Sequence, residues 1–555
     1  MTPPGTTSVG GSASGLMSLQ MTLTCAAWSI QPRGEQERIE SRGSQAHGRS
    51  VTVGLSCHLR QRASTILFSI MSLDAIFNPR SIAVVGATEG SIAAPNVPGM
   101  PAASFNAHTQ IFLYTLIDWG YPGRIYPVNT KGDEVRGLRV YRSVRDIPGP
   151  VDYVICIIPA EATPGLVQDC VAKGVKGLHL YTAGFAETGL ADKVALQAEL
   201  VRVARSGGVR MIGPNCMGIY CPKMGMTYGP NFSREPGNAA FISQSGSYTL
   251  LLVRAAAARG VRFSKVVSYG NASDLDEIDL LDYLADDPET EIIGAYLEGA
   301  KEGSGLAKVL TKAASRKPTI IIKKGSTEAG KRGASTHTGA LAGDDSVWDS
   351  MLKQAGAIRV EDFEEMADLM TTFAFFSQPR GRKVVLFGVG GGAGVRASDE
   401  CETGGLTLPP IPESLRAELA RSLTTAGTML RNPVDPGHYA RDWTDMMQRL
   451  DKWEDADMLL WQIAPDIEAL QADNILRYIH LVRLRTLETL KSLSKPKAVI
   501  VHGVESDLGL QALMDTRKAC AENKVAFYPS IYRAARAISR YMDYCEHHGR
   551  KASGC

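Results

Sequence analysis

His337 sits in a run of small residues, Lys331-Arg332-Gly333-Ala334-Ser335-Thr336-His337-Thr338-Gly339-Ala340-Leu341-Ala342-Gly343. Such a run suits a loop and gives the imidazole no bulky neighbour to pack against. An unpacked histidine there is either an ordinary surface residue or a nucleophile that carries a group between two places. Three glycine-containing turns each join a strand pattern to a helix pattern: Gly86-Ala87-Thr88-Glu89-Gly90, Ser243-Gln244-Ser245-Gly246-Ser247 and Gly388-Val389-Gly390-Gly391-Gly392-Ala393-Gly394. Amides without partners and the positive dipole end face outward where a turn opens a helix, which favours an anion. Glycine lets the backbone approach that anion closely. The ends at Ser245-Gly246 and Gly391-Gly392 are candidates to hold one phosphate between them. Glu298 closes the apolar run Ile292–Leu297. A carboxylate just past the carboxyl end of a parallel strand stands where α/β proteins place active sites. Beside His337 it would hold one ring nitrogen, fix the tautomer and support positive charge on the ring.

The turn at Gly86 is a candidate for nucleotide phosphates. It is not a clean G-x-G-x-x-G, and no acidic residue ends the second strand to hold a ribose. Both departures count against a nicotinamide-dependent oxidoreductase.

The elements that must position these residues come in three blocks of alternating strand and helix patterns. Short apolar runs bounded by Gly and Pro suit buried parallel strands. The first block carries them at Ser81–Val85, Gly123–Val128, Tyr153–Ile158 and Gly177–Tyr181 and reads as Rossmann-like. The second carries Ala239–Ile242, Lys265–Ser268, Ile292–Leu297 and Thr319–Ile322. The third carries Lys383–Phe387, Asp457–Trp461 and Ala498–Val501 and ends in a helix around Arg533 to Tyr544. The expected division is 1–70, 71–222, 223–380 and 381–555. Residues 1–70, with a Gly/Ser/Thr-rich start and scattered arginines, read as a disordered tail or as an extension upstream of a start at Met71. Glu35, Glu37 and Glu40 argue against a transit peptide.

Composition bounds the rest. The chain has 555 residues, 44% hydrophobic and 21% charged, as in an ordinary globular enzyme. A net charge of +2 supplies no field for nucleic-acid binding. No apolar run nears the roughly 20 residues that span a bilayer. The ten cysteines are scattered without zinc-ligand spacing, which reads as reduced thiols in a cytoplasmic protein.

From Met71 onward the chain resembles the α subunit, or equivalent half, of the NDP-forming (ADP-forming) acyl-CoA synthetases of the succinyl-CoA synthetase superfamily. The resemblance is carried by Thr182-Ala183-Gly184-Phe185-Ala186-Glu187, Gly213-Pro214-Asn215-Cys216-Met217-Gly218, Ser243-Gln244-Ser245-Gly246, Asp287-Pro288-Glu289-Thr290-Glu291 leading to Glu298, Ser335 to Gly343, and Asn432-Pro433-Val434-Asp435, in the family's order. It implies an N-terminal Rossmann-like CoA-binding domain followed by two flavodoxin-like ligase domains. It also implies that His337 is phosphorylated and Glu298 orients it, with Ser245, Gly246, Gly391 and Gly392 binding the phosphate. CoA contacts are implied at Gly86, Ala87, Thr88, Val128, Asn129, Lys131, Ile158, Pro159, Ala183, Gly184 and Glu187, and contact with the acid at Asn215. The implied reaction passes a phosphoryl group from ATP to His337 and on to a carboxylic acid, after which the CoA thiol attacks the acyl phosphate. Mg²⁺ would accompany ATP/ADP. Family ATP-grasp domains are not evident before Cys555, so an ATP-grasp β subunit in a heterotetramer is expected, with no membrane and no nucleic acid. The sequence departs from the family in a long, proline-bearing stretch from Ser91 to Gln110, and in Val128-Asn129-Thr130-Lys131, where the family has Val-Asn-Pro-Lys. A non-catalytic acyl-CoA sensor or scaffold built from the same domains is the alternative. The pairing of His337 with Glu298 is a feature that a sensor does not need.

Overall fold

The structure, a computed structural model, describes residues 73–89, 92–93, 104–105, 107–330, 344–388, 391–422, 430–436, 443–463, 483–502 and 504–549. Residues 1–70 and His337 therefore lie outside the described residues.

The apolar runs become parallel strands, most of them buried along their length as runs without polar alternation favour, while Arg124–Val128 is buried only from Tyr126 onward. The first sheet has five strands, all parallel, in the order Arg124–Val128, Ser81–Val85, Tyr153–Cys156, Gly177–Leu180, Arg210–Ile212. The chain enters at Ser81–Val85 and adds strands on both sides, so the turn at Gly86 lies at the point where the winding reverses. The second sheet repeats that order from Ala239–Ser243, flanked by Phe263–Ser268 on one side and by Ile292–Leu297, Thr319–Lys323 and Ile358–Val360 on the other. Gly218–Tyr220 adds an antiparallel edge to it. Sheet pairing thus passes from the first block to the second between Ile212 and Gly218, upstream of the expected boundary at 222. In the third sheet Val384–Phe387, Met458–Ile463, Lys497–Val501 and Ala526–Tyr528 run parallel, and a bridge from Phe387 to Val434 lies on the other side of the first of them. The expected α/β architecture, Rossmann-like and then flavodoxin-like, is the one observed.

Between the first turn and the first helix the chain makes a short antiparallel pair, Ile92–Ala93 with Ser104–Phe105. The helix that follows contains a π-helical stretch, Gln110–Tyr114. Neither was expected from the proline-bearing sequence.

Polar ties join the blocks. The fully buried carboxylate of Asp274, in the second block, accepts from Arg205, Arg210 and the amide of Met211 in the first. Tyr283 donates to Asp74 and stacks on Phe77 at 4.9 Å. Arg259 pairs with Glu364 and Asp368, which also receive Arg533 of the last helix, Ile531–Gly549. No helix among the described residues is long and apolar enough to cross a membrane. Six of the described cysteines are buried free thiols.

Candidate active site

The carboxyl ends of strands from the first and second sheets open into one cleft of about 1240 Å³. Open parallel sheets bind ligands outside these ends because the turns that open the following helices gather there. Ile158, Pro159 and Ala183 line one wall, and Ser245, Gly246 and Glu298 line the other. Asn215 and Met217, from the segment between the sheets, also line it. Gly330 is the last described residue before the segment that carries His337, and it belongs to the lining with Lys324, Gly325, Ser326 and Thr327.

The second wall is built on the switch-point strand Ala239–Ser243. Ser245 caps the helix Gly246–Ala258, its Oγ accepting from the amide of Tyr248 at 3.4 Å. Ser243 Oγ accepts the amide of Ser245 at 3.0 Å and donates to its carbonyl at 2.8 Å, which fixes the turn. A side chain at position 246 would bring Cβ within 2.9 Å of Met217 Cγ, so glycine gives this helix end its close approach to the wall opposite. Ser245 takes the amide of Tyr248, and the amides of Gly246 and Ser247, which have no acceptor within the helix, lie at its positive dipole end in the lining of the cleft.

Glu298 is held from behind. Gln244, buried at the end of its strand, accepts the amides of Glu298 at 2.6 Å and Gly299 at 3.4 Å through Oε1. Its Nε2 donates back to the carbonyl of Gly299. Lys323 Nζ donates to the carbonyl of Glu298 at 2.9 Å. Tyr296 donates its hydroxyl to Glu298 Oε1 at 3.3 Å, and burial together with that charge pushes the phenol pKa up. Among the described residues, Glu298 is the only carboxylate in the lining and Lys324 the only lysine or arginine.

On the opposite wall, Asn215 takes a left-handed backbone (φ 58°), which asparagine tolerates, and its amide donates to the carbonyl of Thr182. Glu187 receives the amides of Gly184 at 2.5 Å and Phe185 at 3.1 Å and the side chain of Asn271 at 2.6 Å. Burial works against its charge, but these donors outweigh it and hold its pKa below the usual value. Glu187 and Gly184 therefore shape the loop behind Ala183 and are not in the lining.

Other expected contacts stand apart from the cleft. Gly86 donates its amide to the carbonyl of Val128, the Thr88 amide donates to Thr109 Oγ1, and Asn129 Nδ2 donates to the carbonyl of Ala87. The amides of Gly86 and Thr88, expected to meet phosphates, thus already have partners inside the protein. Gly86 is instead required by packing, since a Cβ there would fall 2.9 Å from Ile158 Cγ2. Val128 is a buried strand residue. Lys131 is exposed, and its amide donates to Asn129 Oδ1. Gly391 and Gly392 open the helix Gly391–Thr403 and are exposed, but they do not line this cleft.

Several residues with a part in the geometry escaped the sequence reading. Gln244 had the same signal as Glu298, a polar residue ending an apolar strand. Asn271 had none. Its side chain joins Glu187, Gln197 and Asn215, at 2.6, 2.9 and 3.4 Å, and so links the walls. Tyr181, Tyr248, Tyr296 and His108 give the cleft an aromatic lining that no spacing announced.

Residues 80–222 match the CoA binding domain family and residues 236–373 the Succinyl-CoA ligase like flavodoxin domain family. Over 371 residues the chain is 38% identical to the acetate–CoA ligase [ADP-forming] I subunit alpha of Pyrococcus furiosus, covering 66% of this chain and 76% of that one. The chain belongs to the ADP-forming acyl-CoA synthetases. It corresponds to their α subunit and serves the joining of a carboxylic acid to CoA. A solved structure of the dinucleotide-forming acetyl-coenzyme A synthetase 1 of Ca. Korarchaeum cryptofilum, in complex with phosphate and ADP, superposes with a TM-score of 0.71 at 31% identity. It covers 86% of this chain and 98% of that one. A trans-feruloyl-CoA synthase from an unknown prokaryotic organism is 27% identical over 494 residues, 86% of this chain and 65% of that protein.

Proposed function

We propose that this chain carries the phosphoryl group between nucleotide and acid on His337 and completes the ligation in the cleft between its first two sheets. The observation that carries this reading is the convergence of Glu298, the Ser245–Gly246 helix end and the Lys324–Gly330 segment on that cleft. ATP, bound with Mg²⁺ on an ATP-grasp partner subunit, phosphorylates His337.

In the cleft the helix end compensates the charge of the transferring phosphoryl group, while Glu298 holds the imidazole and supports its positive charge. The acid's carboxylate oxygen attacks phosphorus, the P–N bond breaks, and an acyl phosphate forms. The CoA thiol, laid along Ile158, Pro159 and Ala183, then attacks the acyl carbon and releases phosphate. Asn215, which lines the same cleft, orients the carboxylate. The ends at Gly391 and Gly392 serve the loop at its nucleotide-facing position, outside the cleft. That two relatives carry the name subunit alpha supports assembly with a partner chain, which we take to be an ATP-grasp subunit in a heterotetramer.

The test combines this chain with an ATP-grasp chain, ATP, Mg²⁺, CoA and a carboxylic acid. The expected result is acyl-CoA and ADP in equal amounts, with Glu298→Gln slowing turnover by roughly 100-fold or more. Binding of acyl-CoA with no turnover on any acid would instead make the chain a sensor or scaffold.

A further inference from the structure

The reading above leaves the acid unnamed, and the cleft has features that narrow it. Its walls differ in chemistry. The wall from the first sheet is aliphatic where Ile157, Ile158 and Pro159 line it, a surface suited to the flexible arm of a thiol cofactor. The wall from the second sheet carries the reacting groups, and beside them stand two rings. Tyr248 and Tyr296 stack with centroids 4.3 Å apart and planes 25° apart. Tyr296 donates to Glu298, and Tyr248 occupies the first turn of the helix that Ser245 caps. An acyl group bonded to a phosphate held at Ser245 and Glu298 lies within one side-chain length of this pair. Phe363 meets Tyr248 edge-on from outside the lining, so the ring is braced.

The charge inventory points the same way. Lys324 is the only lysine or arginine in the described lining, and the reacting carboxylate or phosphate claims it. A second carboxylate on the substrate would meet Glu298 with no second lysine or arginine among the described lining residues, which disfavours dicarboxylates on desolvation grounds. Tyr296 is only 5% exposed and backs Tyr248, which is half-buried, so a two-carbon acid would leave the Tyr248 ring uncovered, whereas a planar ring gains offset stacking on it as well as apolar burial.

From these observations we infer that the substrate is an aryl-bearing monocarboxylic acid whose ring packs against Tyr248, backed by Tyr296, beside Glu298. The inference rests on the ligase reading, and the experiment separates the two. The complex of this chain with its ATP-grasp partner is assayed with phenylacetate, trans-cinnamate, acetate and succinate, and phosphorylation of His337 by ATP is measured in parallel without acid. The expected result is a kcat/KM for at least one aryl acid that exceeds acetate tenfold or more. Tyr248→Phe should keep that preference, and Tyr248→Leu, which keeps apolar bulk but no ring, should lower the aryl-to-acetate ratio at least tenfold. Phosphohistidine formation together with a preference for acetate or succinate overturns this inference alone. A preference for aryl acids that Tyr248→Leu leaves intact overturns the placement of the ring. Absence of phosphohistidine in the unaltered complex overturns the ligase reading and this inference with it.

Discussion

Asn271 shows how one side chain couples the two walls of the cleft. It is buried, and its amide group donates to Glu187 and Gln197 while Asn215 donates to it. Removing it takes the side-chain donor from Glu187, leaving the amides of Gly184 and Phe185, and loosens the loop behind Ala183. Losing such buried partners costs roughly 1–3 kcal/mol, so Asn271→Ala should raise KM for CoA roughly tenfold. Phosphorylation of His337 by ATP, which does not involve that loop, should stay within about twofold; equal loss in both half-reactions would show a general folding defect. Glu277, also buried, behaves differently. Burial, reinforced by Asp276 and opposed by Lys301 and Tyr269, pushes its carboxyl pKa up to about 7. Between about pH 4 and pH 7 the folded protein keeps a proton that the unfolded chain has released, so this group's contribution to stability falls as pH rises. Glu277→Gln should therefore gain on the unaltered protein by about 2 kcal/mol between about pH 5 and pH 8. Denaturant melts at both pH values measure this, and a pH-independent gap would contradict it.

At the scale of elements, the Asp287–Glu291 stretch is a packing device and not a ligand site. Asp287 and Glu289 each lie 2.8 Å from Nζ of Lys265, which is only 1% exposed in the middle of a strand. Asp287→Ala strands most of that charge and should cost about 3 kcal/mol in stability, while Lys265→Met with Asp287→Leu should cost clearly less. Chemical unfolding of the three proteins checks the order, and a double variant no better than the single would refute it. The long strands were legible because an unbroken apolar run bounded by glycine leaves few alternatives. Arg210–Ile212, Ile358–Val360 and Ala526–Tyr528 have three residues each, too few to form a pattern. Gly218–Tyr220 belongs to a sheet whose other strands come later, which no local signal announces. The site divides in the same way. Glu298 and Ser245 stand out as polar residues ending apolar strands, whereas Asn271 acts on Glu187, 84 positions away in the chain. The turns at Gly86 and Gly391 looked like Ser245–Gly246 locally. In the fold, the amides of Gly86 and Thr88 are taken up by Val128 and Thr109, and Gly391 does not line the cleft.

For the molecule as a whole, the first two sheets share a cleft, and the third is fastened to the second through Arg259, Glu364, Asp368 and Arg533. Arg259 caps the carboxyl end of the same helix whose first turn, at Gly246, faces the cleft. The scaffold around the reaction is thus braced at both ends, and the proposed phosphoryl carrier, His337, follows Gly330 in the sequence. The shortest route to the central claim is a rapid-quench experiment with γ-labelled ATP on the complex with the ATP-grasp chain. The account predicts an acid-labile, base-stable label on this chain that maps to His337, is absent from His337→Ala, and is discharged by adding acid and CoA. A His337→Ala protein that still makes acyl-CoA at the unaltered rate would contradict it.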